Sequence, residues 1–435
     1  MSKQKGLELI KNFLETLFKN QLIAGSAILF VGNTFANFGN YLYHLLMGRM
    51  LGPIDYGILA SLISISYLLG IPVAALVLVI VKYVSAFRGR KKLSTVNYFY
   101  GWINRQALII GLLGLLIYLV FSSWIALFLH LDTSLYVVIV GLTSFIGIFF
   151  SINFATLQGF LRFSWQVIVN IVNVLVKIIL AIGLVYLSYK LWGAISAILA
   201  GMFAGYLLSI YYIRKLIGPK QEEKSFSGRE VIAYGVPVFF SILAFTSLYT
   251  TDIVLARHFL PAQEAGFYAA LATLGKIIFF ASSPVAMVMF PLVSERHANG
   301  KKYKSFFILS LGLVFLACLG ISGIYFFFPK LMITLLYGRQ YLPAASYLFL
   351  FAIFLSFYSL SSLLVNFYLS VKKVKIVIFP VAAAITQIIL IFLFHKNLSQ
   401  VVWVSICVLG LLLVLLLVYN FATIRKRMSV RLLKP

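Results

Sequence analysis

The chain has 435 residues, of which 62% are hydrophobic and only 11% charged, and its mean hydropathy is +1.03. Soluble domains carry roughly 25% charged residues, so this composition excludes a soluble fold and points to a bilayer. The net charge of +26 would suggest nucleic acid in a soluble protein; here it is read as topology signals, with membrane lipids and no nucleic acid as surroundings.

Residues 1–20 carry Lys3, Lys5, Lys11 and Lys19 among Leu7, Ile10, Phe13, Leu14 and Leu17. That spacing predicts a basic amphipathic helix lying on the inner membrane surface; the alternative is a partly ordered tail. No cleavable signal peptide is expected, because the first apolar stretch is too long for one.

About 20 apolar residues cross a hydrocarbon core of ~30 Å as a helix. Twelve such stretches are expected. Six are at 22–47, 58–81, 106–128, 135–158, 165–188 and 191–213, and six at 232–256, 267–293, 306–328, 345–369, 374–394 and 399–423. The predicted fold is all-α and polytopic. Its parts are a lead (1–20), an N-lobe of six helices (21–213), a polar linker (214–230), a C-lobe of six helices (231–423) and a basic tail (424–435). With the amino terminus inside, the inner segments hold 28 Lys and Arg and the outer loops 6. That split predicts both termini in the cytoplasm.

The two lobes are related by an internal repeat. Arg49 maps to Arg257 with an offset of 208, Gly57 to Gly266 with 209, Pro72 to Pro284 with 212, and Arg214 to Arg425 with 211. An even number of helices per repeat puts the relating axis near the membrane normal, an arrangement known from transporters.

The stretch Arg49-Met-Leu-Gly-Pro-Ile-Asp-Tyr-Gly57, followed by Pro72 and the basic Arg88 to Lys92, resembles the polysaccharide biosynthesis family of oligosaccharide flippases. Tyr337-Gly338-Arg339-Gln340-Tyr341 is similar to that family's joint before the tenth helix. The family shares a superfamily of two six-helix bundles with the multidrug and toxin extrusion exporters. The resemblance implies movement of lipid-linked (polyprenyl-phosphate-type) oligosaccharides to the outer leaflet of the cytoplasmic membrane. It also implies glycosyltransferases or a polymerase of the same pathway as partners, and a monomer. The related lipid II flippase usually carries fourteen helices, which weighs against it here.

Charges in hydrocarbon cost roughly 2.5–3.5 kcal/mol each on insertion scales, so the few present mark a pathway or a pair. Gln166, Asn170, Asn173 and Lys177 are spaced 4, 3 and 4 and share one helical face. They are the first candidates for lining a substrate cavity, with Lys177 receiving phosphate; the other reading is interhelical hydrogen bonding. Lys276, Gln387 (the repeat equivalent of Lys177), Asn37 and Asn40 complete that set. Asp252 and His44, at equivalent positions in the two halves, are candidates for ion or proton coupling, or Asp252 pairs locally with Arg257 or His258. Arg49, Gly52, Pro53 and Gly57, with Arg257, Pro261 and Gly266, form the expected outer hinges. The two arginines are either a cationic rim for departing diphosphate or charges complementing helix C-termini.

Cys318 and Cys407 lie inside apolar stretches, so neither a disulfide nor a metal site is expected, and no cofactor. A cation exporter of the same fold would need acids in its cavity, and only Asp252 lies within a span. A membrane polymerase or ligase would need catalytic groups near the outer face; Asp55, Asp132 and Glu264 are scattered one per loop. The expected activity is therefore a flippase working by alternating access, and not an enzyme.

Overall fold

A chain this apolar must satisfy its backbone polar groups within each segment, and helices do that. The computed structural model describes residues 21–90, 92–217, 239–240, 242–298, 302–371 and 373–432, and these contain helices and no strand. The lead at 1–20 and most of the linker lie outside the described residues.

In chain order the α-helices are α1 (Gln21–Leu69), α2 (Ile71–Gly89), α3 (Leu93–Val120), α4 (Ser122–Phe128), α5 (Leu135–Gly159), α6 (Phe163–Leu184) and α7 (Lys190–Arg214). Then come α8 (Thr251–Phe259), α9 (Ala262–Ala298), α10 (Lys304–Phe327), α11 (Pro329–Leu336), α12 (Leu348–Ser370), α13 (Ile378–Leu393) and α14 (Leu398–Leu432). Ten helical segments among the described residues are long and apolar enough to cross a membrane. One of them, 163–214, contains both α6 and α7, which pack along each other after a turn through Ser188 and Lys190 at positive φ. The tally is compatible with twelve.

Two boundaries differ from expectation. The basic stretch between the second and third spans is largely helical, since α2 runs on to Gly89 and α3 begins at Leu93. Lysine and arginine are good helix formers, so these helices outlast their apolar parts. The joint at Arg49–Gly57 is no loop either. It is a kink inside α1, where Gly52 takes φ 78° and ψ 175° and Pro53 restarts the helix. Glycine alone enters that region at little cost, and proline suits a first helical turn.

The chain divides into two compact units that do not coincide with the sequence halves. Among the described residues, the first unit contains those within 21–44, 72–123 and 134–217, and the second those within 45–71, 124–133 and 239–432. In the first, Ile80, Val84, Phe99 and Ile152 join α2, α3 and α5 in one apolar core. Tyr100 donates to Asn153 Oδ1 at 2.7 Å, and Asn153 Nδ2 donates to Ser209 at 2.8 Å, which ties α3, α5 and α7 together. In the second unit α12 is the central helix, burying Phe351, Phe354 and Leu355 against neighbours that include α9, α10 and α14. Each partly buried helix therefore presents some side chains to its own unit, which is where the polar ones have to be placed.

Candidate functional site

In the first unit the stripe on α6 meets three different helices. Gln166 is buried and its Nε2 donates to Gln158 Oε1 of α5 at 3.4 Å. Asn173 lies against α7, where its Nδ2 meets the Met202 sulfur at 3.9 Å. A Cβ at Gly201 of α7 would come within 2.6 Å of the Asn173 carbonyl, so the small-residue face of α7 is what lets the two helices approach. Asn170 is half-buried on the same face. Lys177 reaches α1: its Nζ donates to Asn40 Oδ1 and lies 4.8 Å from the centre of the Tyr43 ring. Tyr43 is fixed in turn by donating to the Ala194 carbonyl at 2.9 Å. Asn37 is exposed, and His44 packs edge-on to Tyr43 with ring centroids 5.9 Å apart. The stripe thus serves helix–helix bonding at Gln166 and Asn173, and Lys177 presents a cation braced by an amide and an aromatic face. An ammonium has three donors, of which Asn40 takes one.

The second unit holds a cation of different setting. Lys276 of α9 is half-buried, with its Nζ 5.1 Å from the Tyr249 ring centre and 5.8 Å from that of Tyr67. Cations are drawn to aromatic faces within about 6 Å, more so where water is excluded. Lys276 is within electrostatic reach of Asp252, which is only 1% exposed. Tyr268 donates to Asp252 Oδ2 at 2.8 Å, while Asp252 Oδ1 has no hydrogen-bond partner among the described residues. The expected local pairing of Asp252 with Arg257 or His258 is not seen among the described contacts; both basic residues are turned elsewhere. Gln387 of α13 is buried and its amide donates to Ser405 of α14 at 2.9 Å, beside Tyr268. Gln387 therefore belongs to the surroundings of Asp252 and Tyr268.

The repeated joints come together in the second unit. A Cβ on Gly266 would lie 1.9 Å from the Pro53 carbonyl oxygen, and one on Gly57 3.0 Å from the Gly266 backbone. No side chain fits there. Gly57 and Gly266 are equivalents in the repeat, and equivalent residues touch only near the axis that relates them. Tyr56 bonds to Thr273 and to Tyr337, each at 3.0 Å, and Tyr341 donates to the Gly48 carbonyl at 3.0 Å. The two motifs that carried the family resemblance thus form one contact. Arg49 is exposed, and its carbonyl accepts from Gln340 at 3.1 Å. Arg257 is 5% exposed, donates to the carbonyls of Leu129 and His130 at 3.0 and 3.2 Å, and feels the charges of Asp132 and Asp55. Two acids that looked scattered in sequence are thus within electrostatic reach of one arginine. Pro261 follows Leu260, whose extended backbone makes the second joint without a positive φ.

Sequence reasoning passed over the tyrosines, although Tyr56, Tyr337 and Tyr341 stand inside the quoted motifs. It also passed over Asn153, which lies in a largely apolar helix. No cluster of metal-ligating side chains occurs among the described residues.

A family profile described as polysaccharide biosynthesis protein matches residues 46–346. Among solved structures, an inward-facing multidrug resistance MATE family transporter of the MOP superfamily is similar with a TM-score of 0.75 at 15% identity, covering 89% of this chain and 94% of that one. The lipid II flippase MurJ in an inward closed conformation gives 0.70 at 16% identity, with 91% and 87% covered. A MOP superfamily transporter from Pyrococcus furiosus gives 0.61 at 15% identity, with 94% and 95% covered. At these identities the likeness carries the fold, an all-α multi-pass membrane bundle. No curated protein matches the chain.

Proposed function

The chain belongs to the polysaccharide biosynthesis protein family, and we propose that it is a flippase carrying polyprenyl-phosphate-linked oligosaccharides across the cell membrane by alternating access. Flippases and exporters, not enzymes, make up its family and structural neighbours. Its cargo is an amphiphile with a long apolar tail and a charged, hydroxyl-rich head. The tail can stay in lipid, but each head-group hydrogen bond lost to hydrocarbon costs several kcal/mol. A carrier must replace those bonds and offset the phosphate charge.

The observation that carries this reading is the pair of lysines. Each compact unit keeps one half-buried ammonium inside an apolar helix, Lys177 beside Asn40 and Tyr43, and Lys276 beside Tyr67 and Tyr249. Lysine is a point charge suited to phosphate. Asp252 is the single acid within the expected spans, so cationic groups outnumber acidic ones where a head group would travel. The bias of 28 inner to 6 outer basic residues supports cytoplasmic termini, hence export from the cytoplasmic side. Glycosyltransferases or a polymerase of the same pathway are the proposed partners of a monomeric carrier.

A second reading is favoured by one atom. Asp252 Oδ1 is buried with no hydrogen-bond partner among the described residues, and a carboxylate so placed suits a proton- or sodium-coupled exporter of small cations. Reconstituted vesicles separate the two. Loaded with a labelled polyprenyl-diphosphate oligosaccharide or with tetraphenylphosphonium, they are expected to translocate the first and not the second. Movement of the cation alone would replace the flippase reading by the exporter one.

A further inference from the structure

A cavity of about 410 Å³ opens within the second unit between α9, α10 and α12. It falls inside the range of roughly 300–1,000 Å³ usual for ligand pockets. Its lining is mostly apolar and carries no charged residue, and the five polar side chains set into it (Ser282, Ser283, Ser359, Ser362 and Asn366) are what identify an occupant. Ser282 spends its proton on the Ile278 carbonyl at 2.6 Å, and Ser283 on that of Phe280 at 3.3 Å. Asn366 spends Nδ2 on the Ser362 carbonyl at 2.9 Å. What these groups have left for the cavity is mostly acceptor capacity: hydroxyl lone pairs and the Asn366 carbonyl oxygen. Ser359 is 3% exposed, lines the same cavity, and has no hydrogen-bond partner among the described residues. A buried hydroxyl with no partner is costly, by about 1–3 kcal/mol, so it marks a place where something else supplies the bond.

Ser362 accepts from Asn366 Nδ2 at 3.4 Å, so among the described residues its proton and that of Ser359 are also free. A wall with acceptors and a few donors takes groups that donate and can also accept. Phosphate offers mainly acceptors and does not suit the hydroxyls whose protons are spent, and a lipid tail would leave Ser359 without a partner. Two donor-rich classes remain, sugar hydroxyls and ammonium groups. Lys276 decides between them. Lys276, Phe279, Ser283 and Phe290 recur on one face of α9, and Phe279 stacks on Tyr249 with centroids 6.1 Å apart, the same ring that Lys276 faces. The cavity therefore begins about one turn from the Lys276 ammonium, and none of its lining residues is an acid that could balance a bound cation, which leaves a neutral polyol.

We propose that this cavity is a glycosyl subsite, taking a neutral hydroxyl-bearing sugar ring of the cargo while Lys276 holds the adjoining phosphate. The inference rests on the flippase reading and deepens it. Phe279 and Phe290 supply the apolar faces against which the C–H side of a sugar packs, and the serines and Asn366 accept from its hydroxyls.

The test compares two cargoes in proteoliposomes of the full chain: lipid-linked oligosaccharide extracted from the source cells, and the same polyprenyl diphosphate without sugar. Ser359→Leu, which fills the cavity, is expected to slow the sugar-bearing cargo about ten-fold and Ser359→Ala several-fold, as loss of one buried bond predicts. The sugar-free lipid should move at the wild-type rate in both variants, which also shows that they fold. Equal loss on both cargoes, or no loss on either, overturns the subsite. Slower efflux of tetraphenylphosphonium with unchanged sugar transport overturns it in favour of a cation pocket. Wild-type protein that moves neither lipid overturns the flippase reading itself, and the subsite with it.

Discussion

Lys177 and Lys276 are both lysines held inside apolar helices, yet they are braced in different ways. Lys177 is hydrogen-bonded to Asn40 and faces one tyrosine. Lys276 faces two tyrosines, senses the buried Asp252, and stands one turn from the hydroxyl-lined cavity. The first is a polar contact between α1 and α6 with donors to spare. The second is part of a charge-balanced cluster in which removing Lys276 leaves the buried Asp252 without a nearby cation. The difference teaches that the two halves of a repeat can keep a cation by unlike means, and that the second is harder to alter.

Four substitutions break or sharpen the contrast. Lys276→Met keeps the apolar stem and removes the charge; translocation of lipid-linked oligosaccharide should fall about 100-fold, the value of a strong charge-assisted bond. Its thermal unfolding should also shift down, because Asp252 is left without a nearby cation. Lys177→Met should cost about ten-fold in rate with little change in thermal stability, since only Asn40 loses a partner. Adding Asp252→Asn to Lys276→Met should return roughly 1–3 kcal/mol of stability without restoring transport, and melting of the purified double variant reads this directly. Asn40→Ala should have the smallest effect, about 1 kcal/mol and a few-fold in rate, because the Tyr43 ring still faces the ammonium. Equal effects of the two lysine substitutions on both rate and melting would erase the contrast.

The architecture was legible because the bilayer dictates it. Apolar stretches of spanning length, alternating basic loops and a register of about 210 residues leave few other folds. Lys177, Lys276 and Asp252 could be picked out as charges inside spans, where each is costly. Their partners were hidden. A chain with 40 Phe and 25 Tyr gives no reason to single out Tyr67, Tyr249 or Tyr268. Ser359 is one serine among many until its hydroxyl is seen to have no partner among the described residues. Gln387 was named through the repeat, but its amide is spent on Ser405, because tertiary contacts need not copy between halves. The joints carried a signal whose meaning changed: Gly57 and Gly266 look like turn glycines, and they are the points where the repeated segments touch. Nor could periodicity show that 45–71 packs with the second half, since helix bends at Gly52 leave the apolar pattern almost unbroken.

The central claim is that the two lysines receive an anionic head group. Its most direct measurement is the rate at which a labelled polyprenyl-diphosphate oligosaccharide crosses proteoliposomes holding wild-type protein or the Lys177→Met, Lys276→Met double variant, at matched amounts of monodisperse protein. The account predicts transport by the wild type and a double variant no faster than protein-free vesicles. A double variant as fast as the wild type would contradict it.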